Sequence, residues 1–457
     1  MSNYWNKIFL GIAFILATAT IALAQPKDNS PYSRLGLGDL IDQNFFAQGA
    51  LGGLGAAFHD PYHMNIANPA SYGRLRSAAF EIGLFTEYGS LKDGTGTNNN
   101  ISTWNGNLSY LSLGFPLKNP INEVLDQKKK KVRWGMNFTL LPYSNVDYNI
   151  ENQTIEQAFG DTIGVNYLFQ GKGGTYKIMW GNSVNYKNLS VGANLGYFFG
   201  KIENIKEVDF INLSSPFVNR FDDDFSVGGV TWSLGAQYDF VLKTKENSDE
   251  PIEYITIGAY GNSANKININ RDRRWVIINP TLGVLDSIPP VSGLATRENN
   301  SYLPGELGLG IMYAKKNKTK IGLDFKLQSW KEYVNDLVTI SDTQDRPNVN
   351  TYRIALGYEY LPDELAYNNY FKKVRYRFGA FYSNDPRSIQ NEQIKKYGIT
   401  FGMGMPIILP RQGKSFVNFG LELGQLGIAD ALQRTYFKIN LGFTLNDDTW
   451  FFKRKFN

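Results

Sequence analysis

His59 and His63 are the only histidines in the chain, and they stand four residues apart with Asp60 between them. On a helix that spacing would put two nitrogen ligands on one face, as a zinc site requires. Pro61 interrupts the stretch and no third ligand lies close by, so a metal site is not expected. Asp222, Asp223 and Asp224 offer the oxygen ligands that calcium takes, although a solvated acidic turn is the simpler reading. Cysteine is absent, which removes thiolate metal sites, disulfides and cysteine nucleophiles. No G-x-S-x-G elbow is present, and a serine hydrolase would need a histidine beside its nucleophile. The residues therefore predict no cofactor and no enzyme.

A second set of ionisable residues is more informative: Glu81, Arg133, Asp324, Lys326, Arg353, Glu359, Arg375, Arg377 and Glu422. Each falls on the polar side of a segment in which apolar and polar residues alternate. In extended chain, residues two apart share a face, so Arg375 and Arg377 point the same way. Such a set could line a path for anions or carboxylates. It could equally form a salt-bridge network that ties a wall to an internal segment, which is the reading expected here. With 47 basic against 42 acidic residues, nothing calls for a nucleic-acid partner, and the run Lys128 to Lys131 reads as a solvated turn.

The elements that carry these charges follow from the alternation. From residue 78 onward the sequence resolves into fourteen segments of period two, separated by polar turns. In the last of them Phe437, Ile439, Leu441, Phe443 and Leu445 fall on one face, and Lys438, Asn440, Gly442 and Thr444 on the other. The same grammar recurs around Trp134, Trp232, Phe325 and Phe378. The apolar face carries large aromatics near strand ends, as the interfacial girdles of a membrane barrel require. The polar face carries a glycine in each segment: Gly83, Gly114, Gly135, Gly181, Gly192, Gly235, Gly258, Gly308, Gly322, Gly357, Gly379, Gly402, Gly420 and Gly442. Glycine weakens a strand, so a glycine-lined inner face implies close approach by something inside or a sharp curve. Long connections near 144–172, 202–224 and 264–301 alternate with tight ones at Tyr186 to Leu189 and Lys315 to Lys320, the asymmetry of outer-membrane barrels.

The start of the chain has a different character. Lys7, an apolar run from Ile8 and the site Ala22-Leu23-Ala24 read as a cleaved secretory signal peptide over residues 1–24. Residues 25–77 are rich in small residues and have too little apolar mass for a core of their own. They are expected to form an N-terminal hatch, with the barrel over 78–457.

The stretch Gly49-Ala50-Leu51-Gly52-Gly53-Leu54-Gly55-Ala56-Ala57, then Asp60-Pro61, then Asn68-Pro69-Ala70-Ser71, ahead of about fourteen strands, resembles the FadL/TodX family of outer-membrane transporters of hydrophobic compounds. The ending, with Asn446-Asp447 and Trp450 to Lys455, is similar to a divergent branch common in Bacteroidota-type outer membranes. The resemblance implies an all-β, monomeric transmembrane antiparallel barrel with a hatch, in the outer membrane of a Gram-negative cell. It also implies passive uptake of hydrophobic or amphipathic small molecules, such as long-chain fatty acids, released sideways into the bilayer where their transfer is favourable. In that family the third strand is interrupted, opening the wall. Pro142 in the third segment here marks either such a lateral exit or the end of the strand's embedded part, since proline cannot donate to a ladder. The ligand-path and hatch candidates are therefore Asn68, Pro69, Ala70, Pro142, Arg375 and Arg377. The alternative is a non-transporting barrel, a subunit of a larger outer-membrane complex for secretion or barrel assembly. A lumenal pocket lined by aromatics would favour the first, a packed lumen the second. The partners implied are outer-membrane lipid, a hydrophobic small molecule and other outer-membrane proteins.

Overall fold

The computed structural model describes residues 30–447 apart from 94–99, 118–130, 159–160, 212–216, 247–250, 280–282, 289–298, 332, 334–349, 390–391, 409–412 and 429–431. The expected signal peptide over residues 1–24, Lys128 to Lys130 and the tail from Trp450 lie outside the described residues.

A two-residue strand β1 (Asp39–Leu40) precedes the wall, which begins with β2 (Ala78–Asp93), β3 (Asn100–Pro116), β4 (Val132–Ala158) and β5 (Asp161–Tyr186). It continues through β6 (Leu189–Phe210), β7 (Val218–Thr244) and β8 (Pro251–Asn262). Three strands then stand apart from the ring: β9 (Asn265–Asn279), β10 (Gly283–Ile288) and β11 (Asn299–Leu303). The wall resumes with β12 (Gly305–Lys315), β13 (Thr319–Ser329), β14 (Thr351–Tyr360) and β15 (Arg375–Ile389), and ends with β16 (Glu392–Ile408), β17 (Lys414–Gly427) and β18 (Leu432–Asp447). β8 pairs with β12 across the insertion, and β18 pairs with β2 from Leu432↔Asp93 to Asp447↔Ala78. Fourteen antiparallel strands thus close into a barrel, as the alternation predicts.

Closure leaves the ring without an edge, the condition for backbone to sit in hydrocarbon. The predicted outer face is the exposed one: Trp134, Phe138, Trp180, Leu234, Leu323, Phe325, Leu356, Phe378 and Leu441 all project outward. Their neighbours in sequence, Asn137, Thr139, Asp324, Ala355 and Arg377, are buried inside.

The two ends of the barrel differ. At one end Tyr186 pairs with Leu189 and Lys315 with Thr319, and Lys187 and Asn317 adopt positive φ to make the turns. At the other end, three stretches expected as loops are strands. The β4–β5 ladder runs on to Ala158↔Asp161, β6 and β7 pair out to Val208↔Asn219, and β9 adds to β7 beyond the point where β8 leaves it. Polar composition concealed these strands, because beyond the bilayer neither face needs to be apolar. Asp222, Asp223 and Asp224 lie within β7 rather than in a turn, with Asp223 and Asp224 facing Arg271, Arg273 and Arg274 of β9. Beneath this extension Leu37, Tyr143, Val146, Phe198, Phe225, Ile267 and Trp330 form an apolar cluster.

Candidate functional site: the lumenal segment and the wall seam

The glycine ring meets the N-terminal segment in an ordered path. Phe46 and Ala50 lie against Gly442, Gly420 and Gly402 of β18, β17 and β16, and Leu51 with Gly52 against Gly379 and Gly357 of β15 and β14. Leu54 covers Gly322, Ala56 covers Gly258, and Asn68 with Pro69 cover Gly235 and Gly192. Tyr72 reaches Gly181 and Gly135, and Leu75 and Met64 reach Gly114. The segment therefore winds around the inner wall from the last strands to the first. A methyl group built on Gly135 would overlap the carbonyl oxygen of Tyr72, and one on Gly258 that of Ala56. The two exceptions, Gly83 and Gly308, admit the rings of Tyr110 and Tyr260 from the neighbouring strands instead.

Polar side chains fix this path. Asn68 accepts the Ala70 amide at 3.1 Å, capping the short turn Pro69–Arg74. Its amide donates to the Ala56 carbonyl at 2.6 Å and to Ala236 and Ala259 of β7 and β8 at 3.3 Å. Ser183 of β5 donates to the Ala70 carbonyl at 2.8 Å. Of the sequence candidates, Asn68, Pro69 and Ala70 are thus placed as a clasp between two turns of the segment and the wall.

Arg375 and Arg377 are buried on the inner face, as expected, but serve different partners. Arg375 donates to Asp60 at 2.7 Å, and Lys320 reaches the same carboxylate at 2.8 Å. Arg377, fully buried, donates to Glu359 of β14 at 2.7 Å. Burial alone would raise the Asp60 pKa, but the cations of Arg375 and Lys320 hold it well below the usual carboxylate range. Higher up, Asp42 takes Arg353 at 2.8 Å and Lys396 at 2.9 Å, and the Asp324 carboxylate accepts the Gly55 and Ala56 amides at 2.5 and 2.7 Å. Of the inward charges, Glu81, Asp324, Arg353 and Arg375 reach the segment, whereas Arg377 with Glu359 and Lys326 with Glu306 pair within the wall. Asp42 and Lys320 were not singled out in the sequence, and Asp60 was named there only beside the histidines and in the Asp60-Pro61 motif.

The two histidines face different strands. His59 lies 3.3 Å from Thr256 and 3.5 Å from Asp239, which also receives Arg74. His63 lies 3.2 Å from Thr444 of β18. Burial, with Arg74 close by, holds His59 below the ordinary imidazole value.

The wall parts at a seam between β3 and β4, among the described residues. β3 and β4 pair only from Pro116↔Gly135 to Leu111↔Leu140, although β3 pairs with β2 as far as Asn100 and β4 with β5 as far as Ala158. Pro142 sits where they part, within an unbroken strand, at a register shift that skips Tyr143 against β5. A second shift skips Ser109 against β2. Above the parting, β4 pairs with β1 instead, through Asn145↔Asp39 and Ser144↔Leu40. Gln43 also donates to the Pro142 carbonyl at 3.0 Å. Proline lacks the donor that continued pairing needs, so the departure begins where the ladder is weakest. Two small cavities adjoin the segment. One of about 70 Å³ lies by the seam among Phe45, Phe46, Phe85 and Tyr110. The other, about 50 Å³, is lined by Asp42, Asn44, Glu306, Asp324 and Arg353.

The family model for BamG matches residues 6–457. The chain belongs to the BamG family. No curated protein matches the chain. Among solved structures, a Pseudomonas aeruginosa FadL homologue is similar at 12% identity and a TM-score of 0.50, covering 90% of this chain and 99% of its own. The Pseudomonas putida toluene transporter TodX is similar at 14% identity and a TM-score of 0.49, covering 89% of this chain and 99% of its own. The Ralstonia pickettii toluene transporter TbuX gives 13%, 0.48, 89% and 99%. This BamG-family chain has the barrel fold of the FadL homologue, as the sequence resemblance implies.

Proposed function

We propose that this protein is a non-transporting outer-membrane barrel, acting as a subunit of a larger outer-membrane complex of the secretion or barrel-assembly class. The observation that carries this reading is the packing of the lumen. The N-terminal segment presses on the glycine ring around most of the inner wall and is clasped by ion pairs, that of Asp60 with Arg375 buried and that of Asp42 with Arg353 partly exposed, so it acts as a fixed hatch. Pockets for small molecules span roughly 300–1,000 Å³. The cavities beside the hatch, about 50 and 70 Å³, are far smaller. The cluster of Tyr143, Phe198, Phe225 and Trp330 adds a second packed layer toward the extended end. Membership of the BamG family points the same way.

A second reading, uptake of a hydrophobic compound, is favoured by the seam. The parting of β3 from β4 at Pro142 offers a sideways route, and the fold is that of proteins named as toluene transporters and a FadL homologue. Gentle purification from outer membranes, followed by mass spectrometry of proteins and lipids, separates the two. A fixed stoichiometric set of protein partners with no bound hydrophobe is the expected result. A stoichiometric fatty acid or aromatic hydrocarbon, with no partner, would replace the first reading by the second.

A further inference from the structure

The connection between β14 and β15, residues 361–374, is the longest described stretch on the rim that carries the tight turns. It is held in place by its own bonds. The Leu361 amide donates to the Lys318 carbonyl at 2.7 Å, and the Asp363 amide to that of Lys372 at 2.9 Å. Asp363 accepts the Leu365 amide at 3.0 Å, Asn369 accepts that of Phe371 at 3.0 Å, and Glu364 pairs with Lys414 at 2.8 Å. Yet this ordered stretch shows Leu365, Tyr367 and Phe371 to the outside at 88%, 96% and 70% exposure. Apolar area displayed on a fixed backbone marks a surface that meets something other than water.

Two hydroxyls indicate what it meets. Tyr376 lies opposite the outward-facing Tyr360 in the β14–β15 ladder, and so on the lipid side of the wall. Its hydroxyl donates to the Phe371 carbonyl at 3.2 Å, and Tyr370 donates to the Pro406 carbonyl of β16 at 3.0 Å. Tyr376 thus ties the Phe371 end of the connection to the outer surface of the barrel, while Glu364 meets Lys414, which shares the inner face of β17 with Phe416, so the connection straddles the rim. Lys372 and Lys373 flank the aromatics. Aromatic rings beside lysines are the composition of the headgroup layer, where the rings lie among acyl ends and the ammonium groups reach phosphate.

We infer that residues 361–374 form a foot resting in the phospholipid headgroup layer of the periplasmic leaflet, with Leu365, Tyr367 and Phe371 inserted and Lys372 and Lys373 at the phosphates. The inference needs the barrel alone and stands apart from either reading of its function. Because the chain has no cysteine, single spin labels can be placed through Tyr367→Cys, Phe371→Cys and, as a control on the neighbouring turn, Lys316→Cys. Each variant would be folded into nanodiscs of phosphatidylethanolamine and phosphatidylglycerol, with heat-modifiable gel migration confirming the barrel. The ratio of collisions with oxygen, which partitions into lipid, to collisions with a water-soluble nickel chelate is expected to be several-fold higher at 367 and 371 than at 316. A ratio equal to that at 316 would place the connection in water and overturn the inference. Labels shielded from both reagents would mean a protein surface covers it, which also overturns it.

Discussion

Asp60 shows how much a single side chain can hold in a barrel wall. Its carboxylate joins two strands, β13 through Lys320 and β15 through Arg375, to a segment that has no ladder of its own there. Removing one partner of a buried pair leaves the other charged and unpaired, at a cost of about 3–5 kcal/mol. Asp60→Asn should therefore loosen the N-terminal segment, read as faster limited proteolysis within residues 30–77, while the barrel keeps its heat-modifiable migration. The pH sign follows from the direction of the shift. A carboxyl whose pKa is depressed on folding stabilises above its unfolded value, about 3.9, and loses that contribution as pH falls from there toward the folded value. Protection of the segment should thus be flat from neutral to mildly acid pH and decline only below about pH 4. A decline that begins well above pH 4 would show that the Asp60 carboxylate is not what anchors the segment. Gly258 makes the complementary point about space. Gly258→Ala puts a methyl group into the Ala56 carbonyl, and overpacking of this kind costs about 1–3 kcal/mol. Its thermal unfolding midpoint should fall, whereas Gly283→Ala, with open space around it, should shift stability far less, and then only through its positive φ.

At the scale of the strand, the two faces are two solvents. Leu441 projects outward from β18 and Asn440 inward. Arginine at Leu441 should impair membrane folding by about 2–4 kcal/mol if the site lies near mid-bilayer, and arginine at Asn440 should cost less. Equal losses in a bilayer refolding assay would invert the assignment of inside and outside. This alternation was readable because its period is local: each strand states its own faces in about ten residues. The seam was not readable in the same way. Pro142 marked the place, but the parting depends on register, with β3 skipping Ser109 against β2 and β4 skipping Tyr143 against β5. Nor was β1 foreseen, since two residues carry no periodicity. The strands beyond the membrane were read as loops for a related reason: where both faces meet water or charge, as at Asp222 to Asp224, a strand has no apolar signature.

For the whole molecule, the sequence showed that something approaches the inner wall, because fourteen glycines face inward, but not the order in which residues 46–75 follow the strands. That order comes from closing the ring, a non-local fact. It carries a direct functional expectation. Deleting residues 30–77 should leave a glycine-lined, water-accessible lumen, so planar-bilayer recordings should show steady ion conductance from the truncated barrel and none from the intact one. Conductance from the intact protein would contradict a fixed hatch.

The closing ladder, β18 on β2, joins residues more than three hundred positions apart in the chain. The last of the described strands is therefore the one that completes the wall, around a segment that precedes all fourteen wall strands in the chain. A small ligand can enter a finished pore; this segment, pressed on strands all round the lumen, cannot easily do so. Folding here is a wrapping problem. The wall must be laid around its own contents before the seal forms, and pairings of such long range are the slow ones. A partly built sheet holding that segment, with both edges open, is the intermediate this architecture demands and the one on which any assembly factor would have to act.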